Sequence, residues 1–80
     1  MNRLANRAIC ERTVEEIDRK TKENNSSIAA ELRRLTMKHS AYGNWKSWNA
    51  CPGAFALSAM AENGYDIMYI LTGRRTVSHQ

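Results

Sequence analysis

Ser27-Ile28-Ala29-Ala30-Glu31-Leu32-Arg33-Arg34-Leu35, a polar break from Thr36 to His39, then Ser40-Ala41-Tyr42-Gly43-Asn44-Trp45-Lys46-Ser47-Trp48: the reading of this stretch decides the fold. Ser26 or Ser27 is a natural N-cap, because a serine hydroxyl can accept from an otherwise unpaired amide of the first turn. Ile28, Leu32 and Leu35 recur at i, i+4, i+7, which gives one apolar helix face and turns Arg33 and Arg34 elsewhere. After the break, Tyr42 and Trp45 form the inner face of a further short helix, the third of the chain, which Trp48 extends if the helix runs that far. Gly43 weakens that helix by about 1 kcal/mol relative to alanine. Two helices joined by a few residues have the spacing of a helix-turn-helix.

Upstream, Cys10, Val14 and Ile17 share one face of a first helix. Thr13-Val14-Glu15-Glu16 has the capping-box pattern, which would start that helix at Thr13. Alternatively the helix begins near Ala5 and Thr13 is an interior residue. The polar run Lys22-Glu23-Asn24-Asn25-Ser26-Ser27 ends it.

Downstream, Asn49-Ala50-Cys51-Pro52-Gly53 is a turn, and Pro52 suits the first position of a fourth helix running to about Asn63. Ala54, Phe55, Ala56, Leu57, Ala59, Met60 and Ala61 make it almost wholly small or apolar, so it is expected to be the buried central helix. Gly64 is its stop. Asp66 caps a fifth helix, Tyr65 can pack on Ile70 as a hydrophobic staple, and Gly73 ends it. No segment alternates in the manner of a half-buried strand. The expectation is an all-α, compact bundle of about five short helices forming one domain over residues 1–80.

Eighty residues support one thin core, since a chain this short buries roughly 60% of its unfolded surface. Apolar residues at 42% against 25% charged are ordinary for a globular chain and argue against disorder. No apolar run approaches the ~18–20 residues that cross a bilayer, and the charged N-terminus lacks a signal-peptide core. Two cysteines are too few for a disulfide framework. A soluble, cytoplasmic domain with no membrane association is expected.

The net charge of +4 favours an anionic partner. Residues 1–23 contribute +1 and residues 59–80 nothing, whereas residues 24–58 set Arg33, Arg34, Lys38 and Lys46 against Glu31 alone, for +3. Metal chemistry has only Cys10, Cys51, His39 and His79 to draw on, and no pair has CxxC or HxxxH spacing. Buried structural cysteines and surface histidines account for them. Cys51 and His39 have no evident third partner for nucleophilic catalysis, and there is no glycine-rich phosphate loop. No metal, no cofactor, no small-molecule substrate and no enzymatic activity are expected.

Asn44-Trp45-Lys46, then Asn49 and Pro52, then Ala61-Glu62-Asn63-Gly64-Tyr65-Asp66-Ile67-Met68-Tyr69-Ile70-Leu71-Thr72-Gly73, resembles the phage repressor and Cro-type helix-turn-helix family. The resemblance covers about residues 26–75. Its members commonly carry Asn-Trp-Lys at the end of the recognition helix, a proline opening the next helix, and a Gly-hydrophobic-Asp segment running into Leu-Thr-Gly. The family also places a small residue inside the second helix and a glycine at the turn. Counting back from Trp45 without a gap puts Leu32 and Thr36 at those two places, whereas a second helix or turn longer by about two residues lets Ala29 or Ala30 supply the small residue; Gly43 departs from the pattern.

The resemblance implies a lambda-repressor-like fold and a sequence-specific transcriptional regulator, a repressor or Cro-like protein binding a palindromic double-stranded DNA operator as a homodimer. Lys38, His39, Ser40, Ala41 and Asn44 are then the candidates for base contacts, with the Ala41 methyl suited to thymine and the Asn44 amide to adenine. Tyr42 is either a groove contact or a core residue. Ser26, Ser27, Arg33, Lys46 and Asn49 are the phosphate candidates, while Arg34 is either a further contact or simply solvated. The five consecutive apolar residues Ile67, Met68, Tyr69, Ile70 and Leu71 are the candidate dimer interface, unless the segment Met1–Cys10 encloses that helix. Two other classes use such a fold: a protein-interaction module such as a phage-encoded inhibitor or antirepressor, and the antitoxin of a toxin–antitoxin pair, whose usual toxin-binding extension has little room after Gly73.

Overall fold

The computed structural model describes residues 3–75, with side chains from Arg7 onward. Five helices follow one another: α1 (Arg3–Glu23), α2 (Ile28–Arg34), α3 (His39–Lys46), α4 (Ala54–Glu62) and α5 (Ile67–Thr72). No strand occurs among the described residues. Among them, too, no helix is long and apolar enough to cross a membrane. Met1, Asn2 and the segment 76–80, which includes His79, lie outside the described residues.

α1 is the organising element. α2, α3 and α5 all pack against it, and it buries Cys10, Thr13, Glu16 and Ile17 completely. The Thr13 hydroxyl donates to the Ile9 carbonyl at 2.7 Å, four residues back, as an interior helix threonine does. The capping-box pattern at Thr13 is therefore coincidental and the earlier start is the correct one. Ile17, Leu32, Leu35, Trp45, Met60, Tyr65 and Ile70 form the core cluster, with Val14, Ile28, Ala41, Tyr42, Leu57 and Ile67 packed around it. Tyr65 and Ile70, the two ends of the expected staple, both belong to this cluster.

Four helices end in the same way. The N–H two residues past the cap bonds the carbonyl five residues back, and its predecessor's N–H bonds the one three back. Ser26 to Thr21, Met37 to Leu32, Asn49 to Asn44 and Tyr65 to Met60 are the long bonds, at 2.8–2.9 Å. This arrangement, the Schellman motif, needs a left-handed residue in between. Those residues are Asn25 (φ 51°), Thr36 (φ 59°), Trp48 (φ 64°) and Gly64 (φ 84°). Glycine and asparagine adopt this conformation readily, but β-branched threonine and bulky tryptophan do not.

Two expectations are overturned here. α4 is not the buried central helix. Only Met60 is fully buried, Ala54, Ser58 and Ala61 are exposed, and Phe55 is 95% exposed. The long α1 already occupies the centre, and a helix rich in alanine has few large side chains with which to displace it. Nor does Pro52 open α4. It is buried one position before the N-cap Gly53, where its fixed φ directs the incoming chain. Trp48, for its part, lies beyond α3 and does not extend its inner face; Arg7 stacks over its ring at 3.8 Å.

Candidate nucleic-acid interface

α3 is held by Trp45, which is 4% exposed and sits in the core cluster. Successive helical residues advance by 100°, so Ala41 and Tyr42 share Trp45's side. Both are half-buried against the core, and the Tyr42 hydroxyl donates to Asp18 Oδ1 of α1 at 3.4 Å. Ala41 and Tyr42 thus lie on the inner side of α3, partly covered by the core, and are less well placed for base contacts than the exposed residues. His39, Ser40, Gly43, Asn44 and Ser47 form the opposite, exposed side. The side chains of Lys38, His39, Ser40 and Asn44 take no partner among the described residues. Lys38, at the N-cap, is exposed and makes no capping bond from its side chain.

The charge around this face is one-sided for a structural reason. Glu31 is the only carboxylate between Asn24 and Ala61, and it has no exposed surface. Its oxygens accept from the Tyr65 hydroxyl at 2.7 Å and Asn24 Nδ2 at 3.2 Å, with Arg34 at 3.5 Å. Burial opposes its charge, but these hydrogen bonds and the Arg34 cation outweigh it and hold the carboxyl below its ordinary range. The exposed surface of residues 24–61 therefore shows Arg33, Arg34, Lys38 and Lys46 and no carboxylate. The sequence shows Glu31 only as a charge, although its place on the Ile28–Leu35 stripe, three residues after the first and four before the last, marks it for burial.

The phosphate candidates divide. Arg33 is exposed and without a partner among the described residues. Lys46 is exposed, with its ammonium 5.6 Å from the Tyr42 ring centre, and Asn49 is exposed just past α3. Ser27 caps α2, its Oγ accepting from Ala30 N at 3.1 Å, which leaves its own O–H to donate outward. Ser26 is half-buried, with its Oγ 3.5 Å from the Ser27 carbonyl, and is less open to a phosphate than Ser27. Arg34 is tied to Glu31 and is no longer simply solvated.

Gly43 lies in the middle of the exposed side. A Cβ built there meets nothing within 4 Å, so nothing within the chain demands a glycine. Thr36, by contrast, occupies the left-handed position where the resembled family places glycine. Leu32 is only 1% exposed and lies in the core.

The candidate dimer residues on α5 are not equivalent. Ile70 has no exposed surface and belongs to the core, so it is not available to a partner. Ile67 packs on that core, and Tyr69 donates to Glu15 Oε1 at 2.6 Å beneath the Arg75 guanidinium, 3.7 Å from its ring centre. One short helix must give its inner face to α1. Met68 (55% exposed) and Leu71 (46%) remain outward. No group of three or more His, Cys, Asp or Glu side chains that could hold a metal ion occurs among the described residues. Comparison of the chain with protein-family models, with curated proteins and with solved structures finds no match.

Proposed function

We propose that this chain is a sequence-specific DNA-binding regulator of the phage repressor and Cro type. The observation that carries the reading is the exposed side of α3, His39, Ser40, Gly43 and Asn44, framed by Arg33, Lys38 and Lys46 with no exposed carboxylate in residues 24–61. A short helix with small and polar residues outward fits a major groove, where amide and imidazole groups meet base edges. Cations beside it neutralise phosphates, which set orientation and affinity. In this reading His39, Ser40, Asn44 and Lys38 contact bases, and Arg33, Lys46, Ser27 and Asn49 contact phosphates.

A domain this small binds as a pair on a palindromic site, with recognition helices about 34 Å apart and half-sites centred about 10 base pairs apart. Met68 and Leu71 of α5 and Phe55 of α4 supply exposed apolar surface for that contact. The same side chains favour a second reading, a protein-interaction module of the inhibitor or antirepressor kind.

Selection of bound duplexes from a random pool separates the two. The regulator reading expects enrichment of an inverted repeat, with affinity falling steeply as salt rises. Asn44→Ala should then cost about 1–3 kcal/mol on the selected duplex and little on random DNA. A pool that shows no enrichment at low salt refutes the regulator and leaves the interaction module.

A further inference from the structure

Cys10 and Cys51 approach each other from elements 41 residues apart. Cys10 is fully buried on α1, and Cys51 is half-buried in the irregular segment between α3 and α4. The Cys10 thiol points at the Ala50 carbonyl at 3.0 Å and at Cys51 Sγ at 3.6 Å, and no disulfide joins the two. Disulfide sulfurs lie about 2.05 Å apart, so bonding requires a closing movement of about 1.5 Å. Residues 50–53 belong to no helix or turn, and their backbone is where that movement would occur. Neither sulfur is needed by the DNA-binding reading.

We propose that Cys10 and Cys51 form a dithiol site that low-molecular-weight disulfides, such as glutathione disulfide, oxidise to an intramolecular bridge between α1 and the α3–α4 segment. Cys51, the less buried of the two residues, reacts first. Its thiol gives a proton to solvent, and the thiolate attacks one sulfur of the reagent, whose S–S bond breaks to release one thiol. Cys10 then loses its proton and attacks Cys51 Sγ, expelling the second thiol. The protein loses two protons and two electrons, and the two released thiols carry them. Burial first, then the hydrogen bond to Cys51, pushes the Cys10 thiol up to about 11, which suits it to the second step rather than the first.

The bridge closes a long loop, so it restricts the unfolded chain and raises the melting temperature by roughly 10 °C or more. The test incubates the whole native chain with glutathione disulfide, then labels remaining thiols after unfolding and weighs the product. The expected result is a monomer lacking both thiols, lighter by two hydrogens, with a raised melting temperature that dithiothreitol restores. Cys51→Ser should keep its Cys10 thiol unreacted and show no change in melting with oxidant. A glutathione adduct that persists on Cys51, disulfides between chains, or two unreacted thiols under conditions that oxidise the denatured chain would each overturn the proposal.

Discussion

α3 and α4 are successive helices of eight and nine residues, and their positions are the reverse of what their compositions suggest. α3 is largely polar, yet it packs on α1 through Trp45. α4 is almost free of charge, yet it touches mainly α5 and leaves Phe55 95% exposed. Burial of a short helix is set by whether one large side chain finds a seat in the core. Both helices seat one such side chain, but a tryptophan buries about 150–250 Å², more than the fully buried Met60 of α4, whose neighbours are mostly alanines. The polar helix is therefore firmly placed with its outer side open, while the apolar helix forms an edge.

Removing the anchor is the most severe way to break this contrast. Trp45→Ala should cost about 3–5 kcal/mol, enough to unfold most of a domain this small. Chemical denaturation followed by circular dichroism is the measurement. A variant that melts like the wild type would show that α3 is held by something other than Trp45.

Acid reaches the buried carboxylates that seat α2 and α5 on α1, and it leaves α4 nearly untouched. Glu16 accepts from both Arg19 Nε and Nη2 at 3.0 Å and from Asp66 N at 3.2 Å, and it pairs with Arg75. Burial opposes its charge, but the bonds from Arg19, Arg75 and Asp66 hold its carboxyl below the ordinary range, as with Glu31. A folded-state pKa below the unfolded one stabilises above the ordinary glutamate range, and that contribution is lost as pH falls through the lowered values. The melting temperature should hold at neutral pH and drop progressively below about pH 4.3. Glu31→Gln should blunt the drop, and a wild-type curve flat through this window would refute the paired, charged state.

The two irregular residues near α3 sharpen the comparison at smaller scale. Thr36→Gly relieves a left-handed β-branched residue and should stabilise by about 1 kcal/mol. Gly43→Ala should also stabilise by about 1 kcal/mol, because the site is mid-helix and open. Both shifts are read from urea midpoints. If Gly43→Ala stabilises the fold but weakens binding to the selected duplex, the glycine serves close approach to the ligand. A loss of stability at either position would contradict the conformation described for it.

The smallest effect belongs to the edge helix. Phe55→Ser should change subunit stability by no more than about 0.5 kcal/mol and leave helicity intact, while lowering self-association in sedimentation. A large destabilisation would mean that Phe55 is packed after all.

Much of the framework was legible in local patterns. Ser27, Asp66, Gly64 and Gly73 act where capping chemistry places them: Ser27 Oγ accepts from Ala30 N, Asp66 Oδ1 accepts from Tyr69 N at 3.0 Å, and both glycines have positive φ. The stripe Ile28, Leu32, Leu35 turned inward as its period requires. Thr13 misled because a capping box and an interior threonine with a glutamate three residues on read identically in sequence. In the candidate site, His39, Ser40 and Asn44 were legible as the polar side of α3. Tyr42 was legible as an inner-face residue beside Trp45 as well as a groove candidate, and Ala41 was not separable from the polar side until α1 showed which side was covered.

The sequence by itself determined the five helices, most of their caps and the excess of positive charge in the middle of the chain, because each depends on residues within a few positions of one another. Tertiary structure alone decided the rest. It made α1 the centre, set α4 at the edge, and drew Ile70 into the core while leaving Met68 and Leu71 outside. It buried Glu31 under Tyr65 and Asn24, so that the basic surface of residues 24–61 carries no exposed carboxylate. It also brought Cys10 to Cys51 across 41 residues. These outcomes depend on which faces meet, and helical periodicity specifies a face without specifying the partner that will cover it.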